Sequence, residues 1–414
     1  MKIILIALIL ALYPPYRPLS IAGDSVISSS YEFGKRQITD FIENRDSLDN
    51  FDYFKYRFRL KQDIKDSFSY NMSYNRQKRD YETRDSLDSR ANEYKLGLNF
   101  PLSQLTRLQA GFGHKEKNYM NTPSSEYNRD AFEIGLKHEL NPALSFGFDL
   151  GVINYGYLRD SALNQHKVRA GINADCLILD NRLNLGGFYR LQSVDQKGSK
   201  TDREEQIIGA DINYKFNLRY LKALGLTLEH GRDDTKEIEE RDDNLSYRYT
   251  KWAIKSNHPL SEKLDTAFRY GQNRRDYLDS ASDYRGWFLE NEIDYEIFTS
   301  KRSAMASSVK SEHKETDYHL DDSLNYLKDS LGVELAYNRK KNYKIIPSFT
   351  FSRYNYPANL NRKEKDYLTQ IELIKEFNRP DAKLKIKYAY KFRDFRYTAD
   401  VAQWWVNLGI ELGF

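Results

Sequence analysis

After the first dozen residues the sequence has no long hydrophobic run. The stretch Ile3 to Leu12 is apolar but only about ten residues long, whereas a helix needs roughly twenty to cross a bilayer. Nothing further along the 414-residue chain comes closer, and mean hydropathy is −0.76. No segment after residues 1–22 is long and apolar enough for a helical span. Cysteine is nearly absent: Cys176 stands alone, which rules out an internal disulfide framework and a cysteine-based metal site. No Cys-X-X-Cys-His motif occurs, so the chain attaches no c-type haem. An excess of one charge is lacking too. Lys and Arg number 64 against 60 Asp and Glu, and this balance does not call for a nucleic-acid partner.

What is present is an unusual combination. Charged residues make up 30% of the chain and aromatics 14%, with 32 Tyr and 22 Phe. A polar chain poor in aromatics would suggest disorder; one rich in them needs a structure that displays both. A membrane β-barrel does so, with an apolar outer band edged by aromatics and a polar lumen.

The two ends fit that reading. Met1-Lys2, the short apolar run, Pro14-Pro15 and the small residues Ser20 to Gly23 have the layout of a secretory signal over residues 1–22. That leaves 23–414 as the barrel. At the other end Trp404, Val406, Leu408, Ile410, Leu412 and Phe414 alternate with Trp405, Asn407, Gly409, Glu411 and Gly413. Period two marks a strand with one apolar face. A terminal strand closing on an aromatic resembles the signal that bacterial outer-membrane barrels present to their assembly machinery, which makes Phe414 the candidate assembly residue.

The same alternation runs through the body. Phe54, Tyr56, Phe58 and Leu60 alternate with Lys55, Arg57 and Arg59; Phe132, Ile134 and Leu136 alternate with Glu133, Gly135 and Lys137. Short connectors such as Asn141-Pro142-Ala143 and Asp180-Asn181-Arg182 alternate with longer acidic ones such as Thr83 to Arg90. This is the asymmetry of periplasmic turns and outside loops. The count gives an all-β, antiparallel up-and-down barrel of about 20 strands. Eighteen or twenty-two stay open, because Ser28 to Ile38 and Ser303 to His313 are weakly patterned. Arg45-Asp46-Ser47-Leu48-Asp49 recurs about 40 residues later as Arg84-Asp85-Ser86-Leu87-Asp88. Asp and Ser favour turns by bonding their own backbone, and the spacing is not that of a calcium loop.

Tyr-rich strands running into Arg-Asp-rich loops, as in Tyr270-Gly271-Gln272-Asn273-Arg274-Arg275-Asp276-Tyr277 and Arg396-Tyr397-Thr398 before Trp404, have a recognisable style. It resembles the β-barrel porin family often found beside exopolysaccharide-secretion genes. It is also similar to the barrel that sheathes multihaem cytochromes. The resemblance implies an outer-membrane channel or export conduit for hydrophilic solutes, such as a polysaccharide, or else a sheath around a periplasmic or electron-transfer partner. It implies contact with outer-membrane lipid and lipopolysaccharide and with the barrel-assembly machinery. No plug domain is expected, since strands begin within about ten residues of the expected mature start.

If apolar residues face lipid, their alternates face the lumen. The pore-lining candidates are then Lys55, Arg57 and Arg59 on one strand and Lys383, Lys385 and Lys387 on another, continued by Lys391 and Arg393. Barrel closure brings these two strands to about three strands apart. Glu290, Glu292, Asp294 and Glu296 form an acidic wall elsewhere, and would repel one another unless hydrated or paired. A field across the lumen and simple cross-strand pairing both account for such charges. No catalytic residue, cofactor or metal site is expected. His114, His138 and His230 fall on the lipid-side face, and His313 and His319, read as lying in an outer loop, match no metal motif in their spacing.

Overall fold

The computed structural model describes residues 25–38, 50–64, 68–82, 88–119, 125–196, 201–237, 246–277, 283–318, 324–339, 343–357, 363–378, 381–395 and 400–413. The expected signal at 1–22, Phe414 and His319 lie outside them. Twenty strands follow one another: β1 (Ser25–Ile38), β2 (Phe51–Ile64), β3 (Phe68–Tyr81), β4 (Ser89–Pro101), β5 (Thr106–Tyr119), β6 (Tyr127–Asn141) and β7 (Leu144–Tyr157). Next come β8 (Gln165–Ile178), β9 (Leu183–Gln196), β10 (Thr201–Lys215), β11 (Ala223–Glu237), β12 (Tyr247–Ser261), β13 (Leu264–Tyr277) and β14 (Tyr284–Thr299). The last are β15 (Ser303–Tyr318), β16 (Tyr326–Arg339), β17 (Tyr343–Asn355), β18 (Lys363–Asn378), β19 (Asp381–Phe395) and β20 (Val401–Gly413).

Each strand pairs antiparallel with its neighbours in sequence, and β1 pairs with β20. The sheet therefore has no edge. Closure satisfies every backbone ladder internally, as a spanning structure requires. Twenty strands at about 4.8 Å spacing and roughly 40° tilt enclose a ring about 40 Å across between backbones.

The weakly patterned segments are strands: Ser28 to Ile38 belongs to β1, and Ser303 to His313 to β15. One end of the barrel carries turns of 2 to 4 residues, apart from the longer 216–222; the other carries connectors of 4 to 12 residues. Local chemistry closes the short turns. Asn141 Oδ1 accepts from Ala143 N at 2.8 Å. Leu179, Asp180 and Asn181 all take left-handed φ angles of 55°, 54° and 65°, a region that Asp and Asn tolerate better than Leu. At the other end a different clamp recurs. The residue just before a strand accepts from the last backbone N–H of the strand before it: Asp88 from Tyr81 (2.6 Å), Asn164 from Tyr157 (2.7 Å), Asp283 from Tyr277, Asn325 from Tyr318 and Asp400 from Phe395 (2.9 Å). Asp88, the last residue of the recurring Arg-Asp-Ser-Leu-Asp motif, thus has a turn-closing role.

There is almost no buried apolar core. Among the described residues only Tyr56, Tyr249, Ala253, Tyr356, Ala389 and Val401 are buried hydrophobics, while 45 large hydrophobic side chains are exposed. Burying one such side chain gains about 1.5–3 kcal/mol. Leaving them all in water would forgo tens of kcal/mol, more than the 5–15 kcal/mol or so by which typical domains are stable. The outer surface is built for an apolar surrounding.

Candidate functional site: the barrel lumen

Directly paired residues share a sheet face, so register sorts every side chain. One row runs Phe112, Phe132, Val152, Val168 across β5 to β8, and Phe112 and Phe132 are each 50% exposed. This is the apolar face. Its alternates line concavities on the opposite, inner side.

At the closure seam β19, β20, β1 and β2 stand side by side. One rung reads Lys385, Gly409, Ser30, Arg57; the next reads Lys383, Glu411, Ser28, Arg59; a third reads Lys387, Asn407, Glu32, Lys55. Ser28, Ser30 and Gly409 between the two basic strands leave a hollow of about 520 Å3, lined by Arg57, Arg59, Lys383, Lys385 and Lys387 together with Glu32 and Glu411. Lys385 pairs with Glu372 at 2.8 Å. Among the described residues Lys55, Arg57, Arg59, Lys383 and Lys387 have no carboxylate within 4.0 Å. Further along β19, Lys391 and Arg393 both hold Asp366, at 3.1 and 2.5 Å.

The acidic wall on β14 is organised differently. Glu290 meets Arg269 at 3.3 Å and Glu292 meets Lys310 at 2.7 Å, in a hollow of about 730 Å3. On the next strand Glu312 meets Lys328 at 2.6 Å. Asp294 and Glu296 have no such partner among the described residues. Glu296 stands at a register shift between Glu296 and Phe298. The first two acids of the wall are thus paired, whereas most of the seam cations are free.

The third feature was not visible to sequence reasoning. At the long-connector end the aromatics change sides. Tyr247 pairs with Tyr277, Tyr284 with Tyr318 and Tyr127 with Tyr157, all on the inner face. Cations lie over them: Arg275 Cζ is 4.3 Å from the Tyr247 ring and 5.4 Å from Tyr284, and Lys117 Nζ is 4.5 Å from Tyr119. Inward rings settle where no side chain stands: a Cβ on Gly231 would lie 2.2 Å from the Tyr249 ring. On the outer face of the same strands the lipid-side girdle lies nearer the middle, with Trp252, Tyr270, Trp287 and His313 in a chain of ring contacts at 5.4, 6.3 and 4.8 Å. Beyond that girdle the outer face becomes charged. Arg274 pairs with Asp276 and Arg232 with Asp234, both at 2.7 Å. In the connector after β3, hydrogen bonds from Asn50 and Lys35 hold the Glu82 carboxyl below its usual range. The signal missed was the tyrosine on both sides of three long connectors, Tyr119 and Tyr127, Tyr277 and Tyr284, and Tyr318 and Tyr326.

His114, His138 and His230 lie on the apolar face, bonded to Asp130 (2.7 Å), Thr106 (2.8 Å) and Thr250 (3.0 Å). His313 corrects the expectation of a loop position. It sits within β15, bonded to Asp329 at 2.6 Å.

No protein-family model and no curated protein sequence matches the chain. Solved structures do. The ferric-catecholate import receptor Fiu from E. coli K12 superposes with a TM-score of 0.57 at 8% identity, over 94% of this chain and 81% of that one. The siderophore receptor PirA from Pseudomonas aeruginosa gives 0.53 at 10%, over 94% and 80%. The copper transporter OprC gives 0.55 at 8%, over 94% and 80%. At such identities the likeness is one of fold: the chain has the fold of outer-membrane β-barrels.

Proposed function

We propose that the protein is an outer-membrane conduit for hydrophilic solutes that favours anions. Solved barrels of this fold, the exposed apolar band and the expected export signal support the location. The free basic cluster at the seam carries the anion preference. Arg57, Arg59, Lys383, Lys385 and Lys387 outnumber Glu32 and Glu411 around a water-accessible hollow, and charges lining a wide pore set ion preference.

The width of the lumen supports passage. About eight strands are filled by their own side chains, about sixteen to eighteen leave an aqueous channel, and about twenty-two commonly hold a plug. Twenty strands fall between the last two classes. The longest connector, residues 39–50, has a reach of about 20 Å out and back when fully extended, against a ring about 40 Å wide. The same width suits the second reading, a sheath around a periplasmic or electron-transfer partner. Export of a polysaccharide is the finer form of the first reading.

Reconstitution in planar bilayers decides between them. The conduit reading expects ion conductance with a reversal potential on the anion side in a salt gradient. A silent barrel, correctly folded by heat-modifiability, leaves the sheath reading in its place. Orientation is tested separately on intact cells: a protease site after Leu48 or Asp242 should be cut, and one at Asn181 or Asn342 should not.

A further inference from the structure

We propose that the tyrosine ring at the long-connector mouth is a binding site for an anionic glycan chain. This deepens the conduit reading and rests on it for the direction of travel, though not for binding itself.

The aromatics change sides along these strands. In a membrane barrel aromatics belong at the lipid interface, and the Trp252, Tyr270, Trp287 group occupies that place. A second set sits on the inner face, nearer the long-connector end of strands such as β5 to β7 and β12 to β16. On β13, Tyr277 follows Tyr270 by seven residues, about 18 Å further along the axis at ordinary rise and tilt. Interface anchoring does not explain rings that point into water. Tyrosine presents a flat apolar face with a polar edge, and the C–H faces of sugar rings stack on such surfaces while their hydroxyls bond the edges.

A second, independent observation gives the charge of the ligand. Two of the cations over these rings have no carboxylate partner among the described residues. Arg275 is surrounded by Tyr247, Tyr277 and Tyr284 at 4.3, 6.0 and 5.4 Å; Arg129 lies 5.8 Å from the Tyr155 ring. Among the described residues neither has a carboxylate within 4.0 Å, and the Nε of each is buried with no hydrogen-bond partner. Donor capacity is left over beside aromatic faces. By contrast Arg203, in the same ring, is satisfied: its Nε bonds both oxygens of the fully buried Asp233, at 2.7 and 2.6 Å. Arg203 is the fixed strut; Arg275 and Arg129 are the open positions. An extended chain of uronic acid residues offers what both lack, a stackable ring and a carboxylate in each unit. Repetition of the feature around the mouth, at Tyr127 with Tyr157 as well as Tyr284 with Tyr318, suits a polymer that can engage several positions at once.

The test uses oligogalacturonate as the probe, added to the barrel in planar bilayers, and scores current blocks. Expected are blocks at concentrations at least tenfold lower than for malto-oligosaccharide of equal length. Arg275→Gln, and separately Tyr247→Leu with Tyr284→Leu, should each weaken the block about tenfold, compared at equal amounts of heat-modifiable barrel. Equal blocking by a poly-aspartate peptide would show a general polyanion effect and overturn the glycan assignment. Conduction without block by oligogalacturonate overturns the site and leaves the conduit standing. If no current flows at all, calorimetric titration of oligogalacturonate into the detergent-solubilised barrel decides. Binding lost in Arg275→Gln upholds the site, and absence of binding ends it.

Discussion

The seam wall and the acidic wall are both rows of like charge on the inner face, yet register gives them opposite electrical characters. Glu290 and Glu292 stand against Arg269 and Lys310, so from a few ångströms away they contribute little field. Arg57 and Arg59 stand opposite Ser30 and Ser28, and Lys383 and Lys387 opposite Glu411 and Asn407, with no carboxylate within 4.0 Å of any of the four among the described residues. Alternation determines which face a charge takes. Its neighbours across the ladder determine whether that charge acts on a passing ion or is spent locally.

The largest expected effect breaks the seam. A unit charge about 8 Å from an ion in water contributes roughly 0.5 kcal/mol before screening. Replacing Arg57, Arg59, Lys383 and Lys387 together by Gln should lower the anion-to-cation permeability ratio several-fold at low salt, read as a shift in reversal potential. In 1 M salt, where the screening length is about 3 Å, the shift should nearly vanish. An unchanged ratio at low salt would mean that these side chains do not line the path.

A smaller shift, in the opposite direction, is expected from Glu290→Gln with Glu292→Gln. Two cations, Arg269 and Lys310, lose their partners and become visible to the lumen, so selectivity moves toward anions by about half the seam effect. The sharpest version of the comparison is the smallest effect. Removing whole pairs, Arg269→Gln with Glu290→Gln and Glu292→Gln with Lys310→Gln, should leave selectivity unchanged. The stability change should stay within about 1 kcal/mol per pair, since exposed ion pairs are worth little. A large selectivity change in this quadruple variant would show that the wall is not electrically neutral.

Much of this was legible from sequence. Period-two alternation along β2, β4, β6 and β20 reveals strands and their faces, and the count of twenty matches the strands found. β15 was weakly patterned because its outward positions include Ser311 as well as Val309 and His313, so polarity differs little between its faces. Proximity of the two basic strands followed from closure alone. Their neighbours did not. Whether Glu290 meets Arg269 depends on register, which turn geometry and packing set across twenty ladders. The inner tyrosines were hidden for another reason. A single rule, apolar outward, was applied along whole strands of 13 to 16 residues, whereas about 9–11 span a bilayer. Past the lipid the rule inverts, and Arg274 and Asp276 point outward while Arg275 and Tyr277 point in.

The free cations lie on both sides of the β1–β20 junction, the pairing that joins the two ends of the sheet. Before that junction forms, the free Arg57 and the Glu372-paired Lys385 belong to opposite margins of an open ribbon; afterwards they share one rung, separated only by Ser30 and Gly409. Like charges are thus concentrated by the zipping of the final ladder, and the work of gathering them falls on that event rather than being spread over folding. Electrolyte, or any polyanion able to bridge the two margins, should hasten closure while hardly touching the hairpins that precede it.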